Sequence, residues 1–166
     1  MNELQWLKNN RYYAEDIDES KLKNIFYFTL IWNIFEKECC ENFAEIGFHP
    51  RCIAEKLTSK INTSVLNDVC GYFKDRYVAN NKTKTIFNDF KFGKDANDGK
   101  VYKDFVRKTL LANNASNKDK IQSLLYIAFR LRNNLYHGIK EVSKLYDQNE
   151  NFKQINLLLM EIVDKR

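Results

Sequence analysis

Apolar positions crowd most densely into LKNIFYFTLIWNIFEKECCENF, Leu22 to Phe43, where the stretch Ile25–Phe35 is apolar on nearly every side. That pattern predicts a helix, capped by Asp18 or Ser20. It lies either at the centre of the core or shared between the core and a partner subunit. Helical spacing returns at Val101, Phe105, Val106, Leu110 and Leu111. It returns again at Ile121, Leu124, Leu125, Ala128, Phe129, Leu131 and Leu135. The second run starts behind a capping Asn117 and extends to about His137, with Gly138 where a left-handed cap belongs. Leu145, Phe152, Ile155, Leu158, Leu159 and Ile162 predict a last helix over about Glu141–Val163. Shorter helices are expected over residues 3–13 and 51–60, the latter after a turn marked by Gly47 and Pro50. Another is expected from the cap cluster Asn62-Thr63-Ser64 to about Val78.

Residues 80–100 break the periodicity. TIFNDFKF alternates loosely and predicts a small hairpin, and Gly93 and Gly99 flank DAND as loop signals. No internal repeat or domain linker interrupts the chain. The expectation is a single domain over 1–166, all-α, an antiparallel helical bundle of four to five main helices with short helices and a basic loop.

Composition narrows this further. With 166 residues the chain can bury a sizeable core, and one Pro with five Gly is too few for the tight turns of an all-β fold. Cys39, Cys40, Cys52 and Cys70 form no CxxC pair, so reduced, mostly buried thiols in a cytoplasmic protein are expected. A zinc site using them with His49 lacks paired-ligand spacing. The start, MNELQWLKNN, has no basic-then-apolar signal pattern, and the longest apolar run is too short to span a bilayer. No metal, cofactor or membrane partner is expected.

The net charge of +5 is unevenly distributed. Residues 74–108 hold ten Lys/Arg and five Asp, while the remainder holds seventeen of each sign. Tyr77, Phe87, Phe90, Phe92, Tyr102 and Phe105 are interleaved with these charges. Such a segment can follow a phosphate backbone and stack bases. It can equally be a solvated loop whose aromatics turn inward onto the core.

Residues 130–139 read RLRNNLYHGI, where an apolar helix ends in Arg, Asn, Tyr and one of only two histidines. Asn133 and His137 are four apart and share a helix face, whereas Arg132 lies about 140° round from His137. The plain reading is a polar helix end with a solvated His. The chemical reading pairs an imidazole that exchanges protons near neutral pH with a guanidinium that grips phosphate through two parallel bonds. That pair suits cleavage of RNA by its own 2′-hydroxyl, which requires no metal. No convincing carboxylate cluster for magnesium accompanies it. A symmetric dimer would supply a second proton-transfer group.

R-N-N-L-Y-H-G at the end of an amphipathic helix resembles the active-site motif of the HEPN superfamily (higher eukaryotes and prokaryotes nucleotide-binding domain). That motif is an Arg, four to six residues, then a His, often with Asn directly after the Arg. Arg132, Asn133 and His137 match it, and the aromatic run FYFTLIWNIFE looks like the family's early helix. The resemblance implies an all-α bundle that dimerises with its motifs facing. It also implies a metal-independent endoribonuclease of toxin–antitoxin or antiphage defence, with RNA as substrate and an antitoxin or defence-complex partner. His137 would then be the catalytic acid/base, Arg132 the phosphate-binding cation and Asn133 an orienting group. Glu36 is the candidate acidic residue from the early helix, with Asn33 second. One position departs from the pattern: Ile139 stands where members controlled by AMP transfer carry Tyr, and Tyr136 precedes the His instead. Some members are non-catalytic, so an interaction or nucleotide-binding module is the alternative reading.

Overall fold

In a computed structural model of the chain, residues 5, 6, 9, 19–92, 96–136 and 145–166 are described. The fold is all-α: the described residues form a bundle of seven helices with one hairpin of two-residue strands. Helix α1 spans Glu19–Cys39, α2 His49–Leu57, α3 Thr63–Tyr77, α4 Thr85–Asn88, α5 Ala96–Leu111, α6 Asn117–Tyr136 and α7 Asn149–Lys165. Strands β1 (Val78–Ala79) and β2 (Lys82–Thr83) separate α3 from α4. Five of the helices run fifteen residues or more, in line with the four to five main helices expected.

The bundle is mixed in direction, not antiparallel throughout. Asn24 bonds Asn149 and Asn156 near one end of α1, and Arg166 meets Glu38 at 2.9 Å near the other, so α1 and α7 run parallel. Helix α3 runs against α7, since the Asn62 amide donates to Glu161 and the Tyr72 hydroxyl to Asn151. Helix α3 also runs alongside α6 in the same sense, through Asn117–Thr63 and Lys120–Asn67. Short loops force antiparallel pairing only between consecutive helices. Helices α1 and α7 are joined through the whole chain and carry no such constraint.

The centre of the core also differs from expectation. Helix α6 is buried on all sides from Ile121 through Phe129. Of its buried polar members, Gln122 Nε2 donates to the Tyr126 hydroxyl at 2.8 Å, whereas Ser123 Oγ finds no partner among the described residues. Among its described side chains, helix α1 buries Leu22, Ile25, Phe28, Trp32 and Phe35, a stripe at helical spacing. Phe28 packs edge-on to Phe152 of α7 with ring centres 4.8 Å apart, and Trp32 packs edge-on to Phe129 of α6 at 5.1 Å. On the opposite side Phe26, Tyr27, Leu30 and Ile34 are exposed. Of the two places expected for this helix, the all-round buried one is excluded.

Several boundaries shift for local reasons. Helix α1 stops at Cys39 because Cys40 and Asn42 both donate to the Glu36 carbonyl while Glu41 and Asn42 take positive φ. The hairpin expected at TIFNDFKF lies instead at Val78–Thr83. Asn80 and Asn81 there have φ of 50° and 56°, the sign both central residues of a type I′ turn require and Asn tolerates. Ala96, Asn97 and Asp98 of the expected DAND loop, with Gly99, form the first turn of α5, whereas Gly93 and Asp95 lie outside the described residues. The last helix begins at Asn149 after a turn at 147–148, not at Glu141. Residues 141–144 and Gly138 lie outside the described residues. Of the helix expected at 3–13, Gln5, Trp6 and Asn9 are described and are helical.

Candidate active site

The last turns of α6 carry the RLRNNLY segment out of the core. Phe129 and Leu131 are buried, whereas Arg132 and Asn133 are half-buried and Tyr136 is exposed. Arg132 is held from two sides. One Nη donates to Asn133 Oδ1 at 3.3 Å, and the guanidinium lies over the Tyr136 ring, 5.3 Å from its centre. Its Nε is buried and finds no acceptor among the described residues. A buried donor left this way costs about 1–3 kcal/mol, which an incoming acceptor would recover. Arg132 and Asn133 are thus brought together. His137 lies outside the described residues.

Glu36 is held in the turn that ends α1. Its Oε2 accepts from Trp32 Nε1 at 3.2 Å and its Oε1 from the Ala44 amide at 3.0 Å. The same Trp32 meets Phe129, one turn before Arg132 and Asn133 on α6. Glu36 therefore fixes an aromatic that braces the candidate helix. Asn33 is exposed on the outer face of α1.

The role of Arg130 was not legible in the sequence. Its guanidinium sits 4.2 Å from the centre of the Phe90 ring and 5.8 Å from that of Phe92, and it donates to the Lys91 carbonyl. Burial pulls this guanidinium below its usual basicity. The alternation Phe90-Lys91-Phe92 is the signal that could have revealed the clamp. The aromatics of the basic segment turn inward: Tyr77, Phe87 and Phe92 are buried, and Phe90, Tyr102 and Phe105 pack against the core. This is the solvated-loop arrangement, and it leaves no exposed ring ladder for bases.

Cys40 and Cys70 are buried, Cys39 and Cys52 partly so, and all four are free. Burial pushes the Cys40 thiol up to about 12, helped by Cys39 and Glu36. His49 Nδ1 accepts from the Glu45 amide at 2.9 Å. Among the described residues no group of three or more His, Cys, Asp or Glu side chains is placed to hold a metal ion. Nor is any described helix long and apolar enough to cross a membrane. Comparison with family models, curated proteins and solved structures finds no match to this chain.

Proposed function

We propose that this chain is a metal-independent endoribonuclease of HEPN type that works as a cytoplasmic homodimer. Its setting would be toxin–antitoxin or antiphage defence, with an antitoxin or defence-complex partner. The observation that carries the reading is the pose of Arg132. It is a half-buried guanidinium braced by Asn133 and Tyr136, five residues before His137.

In this mechanism the neutral imidazole of His137 takes the proton of the 2′-hydroxyl. The 2′-oxygen forms a bond to phosphorus as the P–O bond to the 5′-oxygen breaks. Arg132 donates to the two non-bridging oxygens, where negative charge builds. His137 of the second copy, protonated, returns a proton to the leaving 5′-oxygen. The products are a 2′,3′-cyclic phosphate and a 5′-hydroxyl, and the protons balance. Asn133 holds the fork of Arg132, and Glu36 supports the site through Trp32.

The outer stripe of α1 supports the dimer. Phe26, Tyr27, Leu30 and Ile34 are each between 49% and 65% exposed. At about 100 Å² apiece they offer about 400 Å² of apolar surface per copy, comparable to the largest patch on a typical monomer. A standard interface buries about 800 Å² per partner, a little over half of it apolar, so a second copy suits the size of this stripe.

The test is incubation of purified protein with total RNA in EDTA, beside His137→Ala, followed by end-group analysis. Cleavage by the wild type alone with cyclic phosphate ends is expected. Equal cleavage by His137→Ala, or none by a folded dimer, would reject the mechanism in favour of a non-catalytic interaction module.

A further inference from the structure

The charge excess in residues 74–108 has a definite place in the fold. On α5, Lys100, Lys103 and Arg107 fall within one third of the helix circumference and span about 10 Å along its axis. Lys100 is exposed, and Lys103 and Arg107 are half-exposed. Lys103 Nζ donates to the Asn88 carbonyl, which draws the end of α4 onto this face. Arg130 holds the Lys91 carbonyl from the other side. The Lys91 side chain is exposed. The ammonium of Lys103 is pulled below its usual value, first by burial and then by the charges of Arg107 and Arg130. These cations therefore share one field. Asp104, bonded to Arg107 at 2.6 Å, and Asp89 offset it only in part.

We propose that Lys91, Lys100, Lys103 and Arg107 form a track for the phosphate backbone of single-stranded RNA, and that it reads charge without reading bases. The second half of the proposal follows from the buried aromatics. With Tyr77, Phe87 and Phe92 packed inside and Phe90, Tyr102 and Phe105 turned onto the core, the described rings of the basic segment are not presented for stacking bases. Arg130 positions the track by fastening it to α6 and does not itself face the strand. The choice of RNA over DNA rests on the ribonuclease reading above, whereas the track itself does not.

Binding can be measured apart from cleavage with a fluorescein-labelled 2′-O-methyl 20-mer, whose capped 2′-oxygen cannot attack. Anisotropy is followed in EDTA for the full chain and for Lys91→Glu/Lys100→Glu. Both of these positions are exposed, and neither side chain makes a described bond. Four phosphate contacts on a single strand predict a slope near −2.8 in log affinity against log salt, so affinity falls about 50-fold between 50 and 200 mM. Removing two contacts halves the slope and costs about 25-fold at 100 mM, more with the charge reversed. Uridine-rich and adenosine-rich strands should bind alike. Affinity indifferent to salt, unchanged in the double variant or strongly base-dependent would overturn the track. So would binding to phosphatidylserine vesicles with none to the oligonucleotide. Intact binding by a protein that fails to cleave RNA would uphold the track and remove the nuclease reading, so the two fail separately.

Discussion

Arg130 lies over Phe90, its guanidinium 4.2 Å from the ring centre, and the same side chain donates to the carbonyl of Lys91. One residue thereby clamps the basic segment to the helix that carries Arg132. Helix α6 thus has a double use: its middle fills the core and its end holds the surface chemistry in place.

Removing the clamp should be felt locally first. Arg130→Met keeps the apolar stem but loses the cation–π contact and the bond to Lys91, at a cost of about 1–2 kcal/mol. Hydrogen exchange should rise selectively at the amides of residues 84–92, with α1 and α7 unaffected. Uniform exchange across the chain would contradict the clamp.

Glu36 should behave as a positioning residue. Glu36→Gln turns one acceptor oxygen into a donor facing Trp32 or Ala44, lowering stability by about 1–3 kcal/mol. RNA cleavage at a temperature well below the melting transition should fall by less than about tenfold, since one well-placed acid or base contributes about 10²–10⁴. A hundredfold loss in kcat with unchanged melting would place Glu36 in the chemistry instead.

Leu30→Glu places a charge in the middle of the outer stripe of α1, where Leu30 is 65% exposed. The variant should fold but sediment as a monomer, and it should lose cleavage because each copy supplies one proton-transfer group. An active monomer would contradict the composite site.

The buried thiols set an alkaline limit. Cys40 is pushed up to about 12 in the folded chain, against about 8.5 in an unfolded one. The folded state therefore binds more protons between those values. The stabilisation is complete below pH about 8.5 and is lost as pH rises through the folded value. Melting temperature should decline steadily above pH 9, and Cys40 should resist thiol reagents at pH 8 until the chain unfolds.

Gly71 lies in the interior of α3, and a Cβ built there meets nothing within 4 Å. Gly71→Ala should therefore stabilise by about 0.5–1 kcal/mol, raising the melting temperature by about 2 °C without affecting cleavage.

The limits of sequence reading fall at identifiable residues. Helices α3 and α6 were legible because their apolar positions keep one period and Asn62 caps α3, but the cap of α6 is Ser116, whose hydroxyl accepts from the Asp119 amide, and not Asn117, whose side chain bonds Thr63 instead. The central position of α6 was hidden by Gln122, Ser123 and Tyr126, which look like a solvated side until their burial is seen. Helix α1 misled in the opposite way: its outer aromatics look like core and stand in solvent. The Asn80-Asn81 turn closes a hairpin of two-residue strands, too short to show alternation in the sequence. In the site, the pairing of Arg132 with Asn133 was legible as adjacent residues. The bracing by Tyr136 depends on side-chain pose, and the Arg130 clamp joins positions 39 apart in the chain, which no local pattern encodes.

The most direct measurement is the rate of RNA cleavage by Arg132→Ala and Arg132→Lys in EDTA, with the melting temperature of each recorded. A loss of at least about a hundredfold in kcat is expected for Ala, and little rescue by Lys, whose point charge cannot grip two phosphate oxygens at once. Both variants should stay folded and dimeric. Wild-type rates in a folded Arg132→Ala would contradict the central claim that this guanidinium holds the reacting phosphate.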